Sequence, residues 1–131
     1  MKRWILLVPL AALALTAGCG DKRPPLKQPS ADSFKTGTCR DAADAVLALG
    51  KFAYDNDGKK SLTVADRDKL RDQANKLIVL RSAAEAPLDQ QLQDLITAVG
   101  FVRLRVEPTY DPQLLKDMGA AQNTVQKTCT T

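Results

Sequence analysis

The chain reads as all-α: a small up-down-up-down four-helix bundle, closed by one disulfide and preceded by a disordered linker. Three observations predict this. Apolar residues recur at spacings of three and four from Cys39 to Cys129. Clusters of turn-forming residues interrupt that pattern in three places, leaving four helical segments with short connections. In such a bundle the start of the first helix and the end of the last lie at the same end, and Cys39 and Cys129 each fall on a core stripe there.

In the first helix the stripe is Ala42, Ala45, Val46, Leu49, Phe52 and Ala53, with Asp41 and Asp44 near the N-terminus, where the helix dipole favours negative charge. It stops at the turn Asp55-Asn56-Asp57-Gly58. Thr63 is the expected N-cap of the second helix, with Asp66 where a capping box places Glu. Leu70, Ala74, Leu77 and Arg81 then share a face, with Ile78 and Leu80 beside it. Pro87 opens the third helix at a position that needs no backbone donor. Leu88, Leu92, Leu95, Val99, Val102 and Val106 form one row of this helix, and Ile96, Phe101 and Leu104 a second. Two apolar sides predict that it is the most buried of the four. Gly100, in its middle, costs about 1 kcal/mol relative to Ala, which close packing against a neighbour would explain. Residues 102–106 alternate with period two, as a strand would, but the helical run before them outweighs five residues. Glu107-Pro108 ends the helix, Asp111-Pro112 caps and starts the fourth, and Leu114, Leu115, Met118, Ala121 and Val125 lead on to Cys129.

Ahead of this domain the chain has a leader. Lys2 and Arg3 precede an uncharged apolar run from Trp4 to Leu15, about a dozen residues long and too short to span a bilayer comfortably at 1.5 Å per residue. Ala17-Gly18-Cys19 follows, and the whole resembles the lipobox leader of bacterial lipoproteins. Ala17 and Gly18 match the small residues before the cysteine, while Thr16 departs from the commoner aliphatic residue and Leu15 lies one place further out. The resemblance covers residues 1–19 and implies cleavage before Cys19, lipidation of its thiol and a lipid-anchored position outside the cytoplasm. Two or three acyl chains hold firmly where one holds marginally. Gly20, rather than Asp, follows the cysteine, so an outer membrane and a single-membrane surface both stay open. The chain thus divides into a signal peptide (1–18), a lipidated cysteine with a flexible tether (19–38) and a helical domain (39–131).

With Cys19 lipidated, Cys39 and Cys129 remain as an even pair, and export permits their oxidation. The tether holds Pro24, Pro25 and Pro29 among charged and small residues, with only Leu26 and Phe34 large and apolar. It is expected to stay unpacked and semi-stiff, holding the domain away from the membrane. Dividing the chain also changes its apparent basicity. The net +4 comes from the leader and tether; from Cys39 onward thirteen basic residues meet thirteen acidic ones. A neutral domain lacks the positive footprint that nucleic acid requires.

The chain has no histidine, which removes the commonest general base and most zinc sites. Ser61 with Lys59 or Lys60 lies in a polar turn where nothing would desolvate the lysine. Asp55-Asn56-Asp57-Gly58 is similar to the middle of an EF-hand loop, but Ala53 and Val64 then occupy positions that need carboxylates. An ordinary helix–helix turn is the expectation, with Tyr54 capping the core beside it. The sequence therefore predicts a non-catalytic, membrane-anchored lipoprotein without cofactor, presenting a helical interaction domain to another cell-envelope protein. The alternative is a carrier or sensor binding a small ligand between helices, with Gln73, Gln91 and Arg105 as candidate inward polar groups.

Overall fold

The computed structural model describes residues 23–105 and 110–131. Four helices form the domain: α1 (Thr38–Asp55), α2 (Val64–Arg81), α3 (Leu88–Leu104) and α4 (Pro112–Thr130). Each packs on the next and α4 closes against α1, giving the up-down-up-down bundle. Cys39 and Cys129 are bonded, their Cα atoms 5.3 Å apart across a separation of 90 residues. A loop of that size confers about 4 to 5 kcal/mol in the chain-entropy model. The bond defines a disulfide end of the bundle, shared with the α2–α3 connection. The α1–α2 and α3–α4 connections lie at the opposite end.

The core follows the spacing of the sequence. Cys39, Ala42, Val46 and Leu49 on α1, Leu70, Ala74 and Leu77 on α2, and Leu88, Leu92, Leu95, Val99 and Val102 on α3 are buried. On α4 the buried row is Leu115, Met118, Gln122, Val125 and Cys129. These alternate steps of three and four are what inward seams of antiparallel helices require. The ends are also chemically set. Thr63 and Asp66 exchange hydrogen bonds of 3.0 Å, the Asp66 N–H donating to Thr63 Oγ1 and the Thr63 N–H to Asp66 Oδ2. Asp111 accepts from the Gln113 N–H at 2.9 Å, with Pro112 as the first residue of α4.

The helices depart from expectation in four places. Pro87 is not the first residue of α3 but its N-cap, after a cis Ala86–Pro87 bond, and the helix starts at Leu88. Of the second apolar row of α3 only Ile96 packs against the core, since Phe101 is 52% and Leu104 78% exposed. Leu104 closes the helix and Arg105 is extended, while Val106 lies outside the described residues. Gly100 has open space where a Cβ would stand, so no close packing accounts for it. The close approach is at Gly50 instead, where a Cβ would come 2.7 Å from Gln122 Nε2.

The largest correction concerns the segment expected to be an unpacked tether. From Arg23 to Gly37 it lies as a strap along α1, antiparallel to it. Arg23 donates to the Tyr54 carbonyl, Gln28 Nε2 donates to the Leu47 carbonyl at 2.8 Å, and a 3₁₀ turn at Ala31–Ser33 leads into Phe34, only 1% exposed. Arg40 on α1 holds the strap's backbone, its guanidinium donating to the Phe34 carbonyl at 2.9 and 3.1 Å and to the Asp32 carbonyl at 2.7 Å. The Lys35 N–H donates to the Cys129 carbonyl at 2.8 Å. Composition under-weighted two effects. One aromatic ring fully removed from water contributes roughly 2 to 3 kcal/mol. Three prolines with φ already fixed lose less entropy on ordering than the residue count implies. Gly37, at φ 91, makes the reversal from strap to helix that an L-residue resists.

Phe34→Ala is expected to lower the unfolding free energy by about 3 to 5 kcal/mol in urea titration, whereas truncation in an unpacked tether would leave it unchanged. The two helical glycines should behave oppositely. Gly100→Ala gains about 0.5 to 1 kcal/mol of helix propensity, while in Gly50→Ala that gain is offset by displacing the buried Gln122 amide, worth about 1 to 3 kcal/mol. Paired thermal melts should therefore show a higher midpoint for the first variant and an unchanged or lower one for the second.

Candidate functional site at the end opposite the disulfide

At the C-terminus of α1 the strap is clamped. The Arg23 guanidinium lies 4.6 Å from the Tyr54 ring centroid and 3.8 Å from an Asp57 carboxylate oxygen. The Tyr54 hydroxyl donates to the Pro24 carbonyl. Tyr54 is thus held by the strap as well as by the bundle. The turn beside it is a helix–helix turn, with Gly58 at φ 78. Asn56 is buried in it, Nδ2 donating to the Phe52 carbonyl and Oδ1 accepting from Lys59 Nζ, both at 2.9 Å. Asp55 pairs with Lys51 and Asp57 with Arg23, so each carboxylate of the EF-hand-like run faces a cation of the protein. Among the described residues no group of three or more metal-ligating side chains converges.

Along α1 a polar seam joins strap, helix and core. Gln122 Nε2 donates to the Val46 carbonyl and to Gln126 Oε1, both at 3.0 Å, and rests against Gly50. The same Cβ at Gly50 would stand 3.0 Å from Gln28 Nε2. The missing side chain at position 50 therefore lets a buried glutamine and a strap glutamine approach the same helix turn. This seam was not singled out from sequence, although Gln122 stands in the 115, 118, 125, 129 register.

The end opposite the disulfide also gathers Tyr110. Its ring is buried, and its hydroxyl has no hydrogen-bond partner among the described residues. Burial, then the negative charges of Asp111 and Asp57, push its phenol above the ordinary tyrosine value. Asp57 lies on the α1–α2 connection, so both connections at this end share one electrostatic environment. At Asp66, burial opposes ionisation, but the Thr63 N–H and hydroxyl, with Lys59 and Lys69 nearby, outweigh it and hold the carboxyl below its usual value. Gln91 Oε1 and Arg103 Nε on α3 are likewise buried without a partner among the described residues.

The candidate inward polar groups do not converge. Gln73 lines a cavity of about 110 Å³ between α1 and α2, with Ala48, Leu49, Phe52, Lys69 and Leu70. Gln91 is partly buried on α3, and Arg105 is exposed rather than inward. Ser61 is exposed, and Lys59 is engaged by Asn56. A larger cavity of about 370 Å³ opens at the disulfide end, lined by Ile78, Arg81, Ser82, Ala84 and Asp89. The Arg81 guanidinium donates to Gln93 Oε1. Cys19 lies outside the described residues. Among the described residues no helix is long and apolar enough to cross a membrane. Comparison with protein-family models, with curated proteins and with solved structures finds no match.

Spectrophotometric titration of wild type and Tyr110→Phe should assign one tyrosine that ionises above the ordinary value of about 10. Because the unfolded chain releases this proton first, the associated stability is fully present below that pH and declines as pH rises through the folded value. Tyr110→Phe should flatten that decline in alkaline denaturation curves.

Proposed function

We propose that the chain is a membrane-anchored bacterial lipoprotein that presents a non-catalytic helical interaction domain in the cell envelope. The observation that carries this reading is the leader: two cations, an uncharged apolar run and Ala17-Gly18-Cys19. The rest of the molecule is compatible with it. A disulfide between Cys39 and Cys129 suits an oxidising compartment and leaves Cys19 as the one cysteine outside the pair. The domain's mixed and balanced charge suits contact with protein more than with nucleic acid. Lipid tethering raises the effective concentration of such a domain near other envelope proteins.

A carrier of a small ligand is the second reading, and the cavity of about 370 Å³ between the end of α2 and the start of α3 is the observation in its favour. A saturable thermal shift with a metabolite would support it, since a ligand that binds the native state stabilises it.

Replacing Cys19 with Ala is expected to move the protein from the membrane to the soluble fraction in cell fractionation; retention in the membrane would overturn the anchor. In-cell cross-linking of the wild type should recover one envelope protein reproducibly, and Cys19→Ala should lose that product.

A further inference from the structure

The packed strap changes how the domain stands on an anchor. Arg23 is fixed beside Tyr54 and Asp57, at the end of the bundle opposite the disulfide. Four residue steps separate it from Cys19, a reach of at most about 14 Å at 3.6 Å each. The 18-residue α1 is about 27 Å long at 1.5 Å per residue. With the strap docked, an anchor at Cys19 therefore brings one particular end of the bundle to the lipid and keeps the disulfide end away from it.

That end carries exposed apolar residues. Val64 opens α2 and is 66% exposed, while Phe101 and Leu104 lie in the last turn of the neighbouring antiparallel α3. Lys60 and Arg105 stand exposed on the flanking connections and have no partner among the described residues. Among the described residues, carboxylates at the same end are engaged: Asp55 by Lys51, Asp57 by Arg23, Asp66 by Thr63 and Asp111 by the Gln113 N–H. Exposed apolar groups flanked by exposed cations are the composition of a surface that lies in an interfacial layer of lipid head groups.

We propose that the end of the bundle formed by Val64, Phe101 and Leu104, with Lys60 and Arg105 beside them, seats in the anionic head-group layer of the membrane that holds the acylated Cys19. This rests on the lipoprotein reading for its anchor and adds an orientation to it. The domain lies against the lipid by that end, and the disulfide end, with Ile78, Val79 and the larger cavity, faces away.

The test uses single tryptophans in the mature chain, whose sequence after Cys19 contains none. Leu104→Trp and Val79→Trp replace residues of similar exposure, 78% and 74%, at opposite ends. Each protein, purified with its lipid, is placed in phosphatidylglycerol-containing vesicles with brominated acyl chains. Leu104→Trp should be quenched at least about twofold more than Val79→Trp and emit further to the blue. Charge reversal at Lys60 and Arg105 to Glu should reduce that difference. Equal quenching at both positions, or none at Leu104→Trp, overturns the proposal and leaves that end to solvent or to a protein. Mass analysis of the Cys19 peptide reads the anchor separately. If the thiol is unmodified, the same mature proteins are coupled through it to maleimide lipid, so the seating is measured even where the lipoprotein reading fails.

Discussion

Cys39 and Cys129 fasten the first turn of α1 to the last turn of α4, and much else in the molecule is arranged around that seam. Ninety residues lie between the two sulfurs, so the bond removes a large share of the unfolded chain's freedom from a domain with a modest core. It also fixes which helix neighbours which: α1 and α4 must lie side by side, and the remaining two helices close the bundle. The strap uses the same place. Lys35 donates its N–H to the Cys129 carbonyl and its ammonium to the Thr128 carbonyl at 3.0 Å, satisfying acceptors that a helix C-terminus leaves open. Phe34, one residue earlier, joins the apolar core. Covalent closure, helix capping and the docking of the N-terminal segment thus coincide at one end.

Legibility varied with how local the controlling interaction is. The helices were readable because their seams repeat in steps of three and four, and the starts of α2 and α4 because Thr63, Asp66 and Asp111 act on backbone groups two or three residues away. The disulfide followed from topology. What escaped were contacts set by partners distant in sequence. Nothing around Arg23 announces that Tyr54 will receive it, 31 residues on. Gly100 and Gly50 are both mid-helix glycines, and only the fold distinguishes the one facing open space from the one facing Gln122. Phe101 and Leu104 looked like core because apolar composition marks candidates for burial and not which side of α3 its neighbours will cover. The candidate site shows the same limit, since Arg105 was readable as an inward polar group only while the ends of the bundle were unknown.

The buried glutamine also constrains the packing. Gln122 places an amide among Leu115, Met118, Val125 and Cys129, where an apolar side chain would pack more simply. Its two donated bonds, one across to α1 and one to Gln126, satisfy the nitrogen and tie α4 to a particular level of α1. A sliding of one helix turn would take that amide off the Val46 carbonyl and away from Gly50, leaving it only Gln126 of its own helix, so it selects register much as a polar residue in a coiled-coil seam does.

The antiparallel course of the strap has a mechanical consequence. A pull on the N-terminal segment, directed out of the end where Arg23 sits, runs along the strap and not across it. The contacts at Tyr54, Leu47 and Arg40 are then loaded together in shear, instead of being opened one at a time as in a zipper. Tension that passes them arrives at Gly37 and Cys39, where the disulfide hands it directly to the far end of α4. The bundle hangs from its most distant, covalently joined corner, and force reaches the helices at the point where they are hardest to part.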